Sequence, residues 1–171
     1  MKEKMRFGRL FFITVLLFCI FETARLWNST PAQMASHFDF AGRPDHFATK
    51  EQFFGFEIET MFAAVGLGVL IQVLVLITPA EWVNLPNRTY WLAPERREQT
   101  VDRLSSFAAT LFGIVLLGIH AGFELAAHAN LHQPILFNAQ LMFVIIAGLF
   151  AAGGLMLVWL AISFRVPSPH A

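Results

Sequence analysis

His120, Glu124 and His128 recur every four residues, a spacing that places them in one stripe along a helix. Three kinds of chemistry are open to such a stripe. Neutral imidazole and carboxylate suit zinc or another divalent metal. Histidine also titrates near neutral pH, so the stripe could relay protons. The third role is structural, with Glu124 paired to Arg25, since charges inside a membrane generally find partners. The order His-x3-Glu-x3-His is not the His-Glu-x-x-His of the zinc proteases. Bis-histidine haem ligation needs histidines on facing helices, and the other apolar segments contain none. Glu22, Arg25, Glu57 and Glu59 fall at the ends of neighbouring apolar runs. An intramembrane polar cluster of Glu22, Arg25, Glu59, His120, Glu124 and His128 is therefore expected.

A second set lies between Thr30 and Lys50. His37, Asp39, Asp45 and His46 could converge on a cation, but their spacing matches no standard metal motif. Gly42-Arg43-Pro44-Asp45 reads as a tight turn, in which Gly tolerates positive φ and Pro fixes its own φ. Asp39 and Asp45 suit turn roles, and His37 and Asp45 can hydrogen-bond the local backbone. The candidates for ligand or partner contact are His37, Asp39, Arg43, Asp45 and His46. A third set, Arg88, Tyr90, Trp91, Arg96 and Arg97, forms a basic-aromatic elbow. It suits either a partner contact or a headgroup anchor, with Trp82 in the same zone.

The elements that must position these residues are membrane spans. The chain has 171 residues, 56% hydrophobic and only 14% charged, against about 25% charged in a soluble domain. Four apolar runs, 10–27, 60–78, 107–127 and 141–164, each have about the length needed to cross ~30 Å of hydrocarbon. They are apolar all round for most of their length, unlike the helices of a soluble bundle. The expected fold is an all-α, four-span membrane protein forming one domain over residues 1–171. An ordered loop at 28–59 and a second connection at 79–106 complete it.

Lys2, Lys4, Arg6 and Arg9 precede the first run. Arg88, Arg96, Arg97 and Arg103 lie between the second and third, and Arg165 follows the fourth. The 128–140 connection has no Lys or Arg. The positive-inside rule then puts both termini and 79–106 in the cytoplasm and 28–59 outside, as in a multi-pass protein of a bacterial inner membrane. The basic start and apolar core at 10–21 resemble a signal sequence, but Glu22, Arg25 and Trp27 stand where small residues are wanted for cleavage. Cys19 is the sole cysteine, so an internal disulfide and a cysteine metal cluster are both excluded.

Thr49-Lys50-Glu51-Gln52 has capping-box form and predicts a helix start that runs into the second span, which Pro79 ends. Pro94 with Glu95 and Glu98 predicts a helix from near 94 through Ala127. Gly118-Ile119-His120-Ala121-Gly122 is a GxxxG. With Gly148, Ala152, Gly153 and Gly154 it permits close packing within the bundle or in a homo-oligomer.

Pro31, His37-Phe38, Gly42-Arg43-Pro44-Asp45 and Thr49-Lys50 together resemble a bacterial membrane domain of unknown function. That domain also forms the N-terminal part of immunity proteins against the sporulation-delaying toxin of bacilli. Ala35 stands where a second proline is common in that family, and Phe47 where tryptophan is common. The stretch from Leu85 to Glu98 is similar to the inter-span loop of its short, stand-alone members. The resemblance implies a membrane protein with a structured outer loop.

No nucleophile–base pair is evident, so no catalytic residue and no cofactor is assigned. The expected function is non-enzymatic: a binding, accessory or immunity-like protein that recognises a partner or ligand through the outer loop. Two alternatives stand beside it. One is a metal- or proton-handling enzyme or transport protein using Glu22, Glu59, His120, Glu124 and His128. The other is a small subunit of a larger membrane complex. The expected partners are the lipid bilayer and, through the small-residue helix faces, a protein partner or a second copy. The balance of 12 basic and 12 acidic residues gives no footprint for nucleic acid.

Overall fold

A computed structural model describes residues 2–166, with side chains from residue 7 onward. Met1, residues 167–171 and the side chains of Lys2, Lys4 and Arg6 lie outside the described residues. Four long helices dominate: α1 (Lys2–Ser29), α2 (Lys50–Ile77), α4 (Arg97–Ala129) and α5 (Ala139–Ser163). All four are long and apolar enough to cross a membrane, and the chain is an integral, multi-pass membrane protein. Two strands, β1 (Gln33–Phe38) and β2 (Pro44–Thr49), lie between α1 and α2, and the short helix α3 (Arg88–Trp91) precedes α4.

The helices follow their local signals with a few corrections. The capping box forms: the Thr49 hydroxyl accepts from Gln52 N–H at 3.2 Å, and the Gln52 amide oxygen accepts from Thr49 N–H at 3.1 Å. Helix α2 thus starts at Lys50, ten residues before the apolar run, and stops before Pro79. Helix α4 starts at Arg97 rather than near Pro94, because 93–97 first closes a turn in which Arg96 N–H donates to Ala93 C=O. Asn138 caps α5, accepting from Leu141 N–H at 2.9 Å. The expectation of an all-α chain is corrected at 33–49, where the structure forms an antiparallel hairpin.

Helix α4 is the hub. Helices α1, α2 and α5 each pack against it, whereas α1 and α2 touch only slightly. Small residues set these approaches, as they do where lipid supplies no hydrophobic drive. A Cβ on Gly113 would lie 2.7 Å from the Phe11 ring, and one on Gly68 3.0 Å from Phe112. The GxxxG is spent inside the bundle: a Cβ on Gly118 would lie 2.5 Å from a Leu149 methyl, and Gly122 faces Met142. Helix α5 buries no residue. Its Phe143, Phe150, Leu155 and Trp159 are exposed, an arrangement costly in water and natural in lipid.

Three clusters run along the bundle. Leu26, Met34, Phe53, Phe54, Ala126 and Ala127 fill the end under the hairpin. Val15, Cys19, Met61, Ala64 and Leu116 fill the middle. Leu85, Trp91 and Phe164 close the opposite end.

Candidate functional site

The hairpin is held by ties that account for most of its polar residues. Gln33 pairs with Thr49, Met34 with Ala48, Ala35 with Phe47, His37 with His46 and Phe38 with Pro44, with irregular register on both sides of His37. At the turn, Asp39 accepts from the N–H groups of Ala41 and Arg43, both at 2.8 Å, through one carboxylate oxygen. Gly42 adopts φ +77°, which an L side chain rarely tolerates. Its carbonyl accepts from Phe137 N–H at 2.8 Å, docking the turn on the α4–α5 connection. Lys50 donates to the Trp27 carbonyl at 2.9 Å, supplying a partner and a positive charge at the C-terminal end of α1.

Asn130 makes the tightest tie. Its side-chain oxygen accepts from Ala35 N–H at 2.6 Å, and its amide donates to Ala35 C=O at 3.0 Å and Ala126 C=O at 2.8 Å. The side chain acts as a one-residue third strand on the outer edge of β1. Nothing local in the sequence marks this role, because the partners stand 95 positions apart.

Among the hairpin candidates, His37 and Asp45 meet at 2.6 Å and are both exposed. Asp39 is committed to the turn. Arg43 and His46 are exposed. Phe40 at the tip is fully exposed at 107%. Behind the hairpin, a groove of about 850 Å³ opens between α2 and α5 with α4 as its floor. Ser36, His37, Asp39 and Asp45 form its polar rim, and Phe56, Phe123, Met142 and Phe143 its apolar walls.

The polar cluster of α1, α2 and α4 comes together with one change of membership. His120 Nδ1 lies 2.9 Å from Glu57 Oε1, and the Thr23 hydroxyl donates to the same oxygen at 3.1 Å. Glu57 and His120 are 0% and 1% exposed. Glu124 stands at the next level, 4.0 Å from His120 Nε2, 3.6 Å from His128 Nε2 and 3.9 Å from Arg25. Arg25 pairs more closely with Glu22, at 2.5 Å. The anticipated Arg25–Glu124 pairing is thus present but long. Glu59 is exposed and turned away from this group; Glu57 holds the inner position. Among the described residues, no three His, Cys, Asp or Glu side chains assemble as a metal-holding group, so His120, Glu124 and His128 form a ladder rather than a shell.

The elbow works mainly on its own chain. Trp91, expected as a contact residue, is buried at 4% exposure because its indole N–H donates to the Phe164 carbonyl at 2.8 Å. Asn87 donates to the same carbonyl at 2.9 Å. Arg103 lies over the Trp91 ring and donates to Ser163 C=O at 2.6 Å. Arg96 stacks on Tyr90 with its guanidinium carbon 4.0 Å from the ring centre. Arg88 and Arg97 remain exposed.

Residues 12–58, covering most of α1, the hairpin and the start of α2, match a family described as a domain of unknown function (DUF1648). No curated protein and no solved structure matches the chain.

Proposed function

We propose that the chain is a non-enzymatic binding protein of a bacterial inner membrane, with both termini in the cytoplasm and the hairpin outside. The hairpin would recognise an amphiphile, lipidic or peptidic. The ligand's polar end would meet His37 and Asp45, and its apolar body would lie between α2 and α5. The observation that carries this reading is the groove itself: a polar rim on a tied-down hairpin continues directly into aromatic walls at membrane depth. Pockets for small ligands combine this largely apolar lining with a few placed polar groups. Orientation rests on the basic residues Arg88, Arg96, Arg97 and Arg103 gathered at the end away from the hairpin. An immunity-like role is one form of this reading, in which the bound amphiphile is a peptide that attacks the membrane.

The test is native mass spectrometry of protein taken from its own membranes. Thr60→Trp fills the groove, and His37→Ala with Asp45→Ala removes its polar rim. Loss of a bound mass from both variants is the expected result. Equal retention by wild type and both variants refutes the reading.

A second reading, a small subunit of a larger complex, draws on α5, where Gly148, Gly153 and Gly154 face open space. The same spectra test it: a monomer alone in mild detergent counts against it.

A further inference from the structure

We propose that Glu57 and His120, with Thr23 and Glu124, form a proton-binding site within the membrane, loaded and emptied only from the hairpin end. The inner pair is fully enclosed, yet two of its atoms, Glu57 Oε2 and His120 Nε2, have no hydrogen-bond partner among the described residues. An enclosed carboxylate with one bare oxygen is costly, and an ionisable pair at this depth usually serves a function. The geometry also orders the proton's route. To donate to the Glu57 carboxylate, His120 must carry its hydrogen on Nδ1, which leaves Nε2 as a bare lone pair facing Glu124.

A proton taken up by Glu124, whose side chain is 34% exposed, passes to His120 Nε2 once the carboxyl swings in from 4.0 Å. An N–H bond forms at Nε2 as the Nδ1–H bond breaks, and that hydrogen moves to Glu57 Oε1. Glu57 ends as a neutral acid and His120 as the opposite neutral tautomer, now donating toward Glu124. One proton enters, no electron is transferred, and the reverse path empties the site.

The surroundings make the route one-sided. One to two turns further from the hairpin lie Val15, Cys19, Met61, Ala64 and Leu116, a buried cluster with no charged member. The titratable groups near the pair are Cys19, Glu22 and Arg25 on α1 and Glu124 and His128 on α4. Glu59 on α2 points away, and α5 carries no titratable residue. The Phe18 ring meets His120 edge-on at 5.8 Å, closing the lipid side.

The test uses the full chain in lipid nanodiscs, with infrared difference spectra recorded across pH. As pH falls, the carbonyl band of a neutral, enclosed carboxylic acid is expected to appear. The band should vanish in Glu57→Gln and persist in Glu59→Gln. Its absence at every pH, or its survival in Glu57→Gln, overturns the proposal. Nitrogen NMR on histidine-labelled wild type needs no variant and covers the case in which Glu57→Gln fails to fold. The His120 hydrogen should move from Nδ1 to Nε2 over the pH range in which the band appears. A ring that stays protonated on Nδ1 throughout overturns the proposal as well.

Discussion

Replacing Asn130 by alanine tests the claim that one side chain fastens the hairpin to the helices. Asn130 and Ala35 are both buried, so the change strips partners from the Ala35 N–H and C=O where water does not reach them. Each buried group left unsatisfied costs about 1–3 kcal/mol, which puts the pair at roughly 2–6 kcal/mol. The loss should be local, because α1, α2 and α4 keep their own contacts. At about 3 kcal/mol the equilibrium for lifting the hairpin moves on the order of a hundredfold, since about 1.4 kcal/mol is tenfold. Hydrogen–deuterium exchange of the protein in nanodiscs should therefore show amides of residues 33–49 exchanging on the order of a hundredfold faster. Those in the middle of α2 and α4 should not change. Asn130→Asp keeps the acceptor for Ala35 N–H but sets an oxygen against the Ala35 and Ala126 carbonyls, and should loosen the same segment. Unchanged exchange in Asn130→Ala would refute the argument, and so would a uniform rise through all four helices.

Two further outcomes follow from the geometry. Gly42→Ala puts a side chain at φ +77°, with its Cβ driven against the Phe137 carbonyl; backbone strain alone costs about 1–2 kcal/mol, so the turn amides of Ala41, Gly42 and Arg43 should exchange with deuterium markedly faster than in wild type. Trp91→Phe keeps the ring under Arg103 but removes the hydrogen bond to Phe164 C=O, a loss of about 1 kcal/mol. Thermal unfolding in detergent should shift down modestly, with exchange rising at 160–165 and not in the hairpin.

The spans were legible in the sequence because apolar length alone identifies them, and Thr49 to Gln52 was legible because a capping box is local. The stripe His120, Glu124, His128 could be read for the same reason: its members share one helix. Its partner could not. Glu57 and Glu59 differ by about 200° around α2, at 100° per residue, so only one can face α4, and a helix apolar on every side gives no phase. The strands leave no such signal, because Gln33–Phe38 and Pro44–Thr49 show broken alternation around an irregular register at His37. Trp91 read as a headgroup residue for a related reason. Its binding partner is the Phe164 carbonyl, 73 residues away, and a backbone acceptor leaves no mark on composition.

The hub arrangement has a consequence for the order of synthesis. Helix α4 is the third span to leave the ribosome, so α1 and α2 enter the membrane before the surface they both pack against exists. In that interval Glu57 has the Thr23 hydroxyl but not His120, and Gly68 and Phe11 face lipid instead of a neighbour. A chain halted near Ile77 would thus carry a poorly compensated carboxyl into hydrocarbon. Arrival of α4 relieves this and brings Asn130 up to the hairpin. The last helix then finds a seat already prepared, because Trp91, Asn87 and Arg103 precede it in the chain and await its final carbonyls. In chain order, each later helix therefore brings the partner of a polar group on the segments before it.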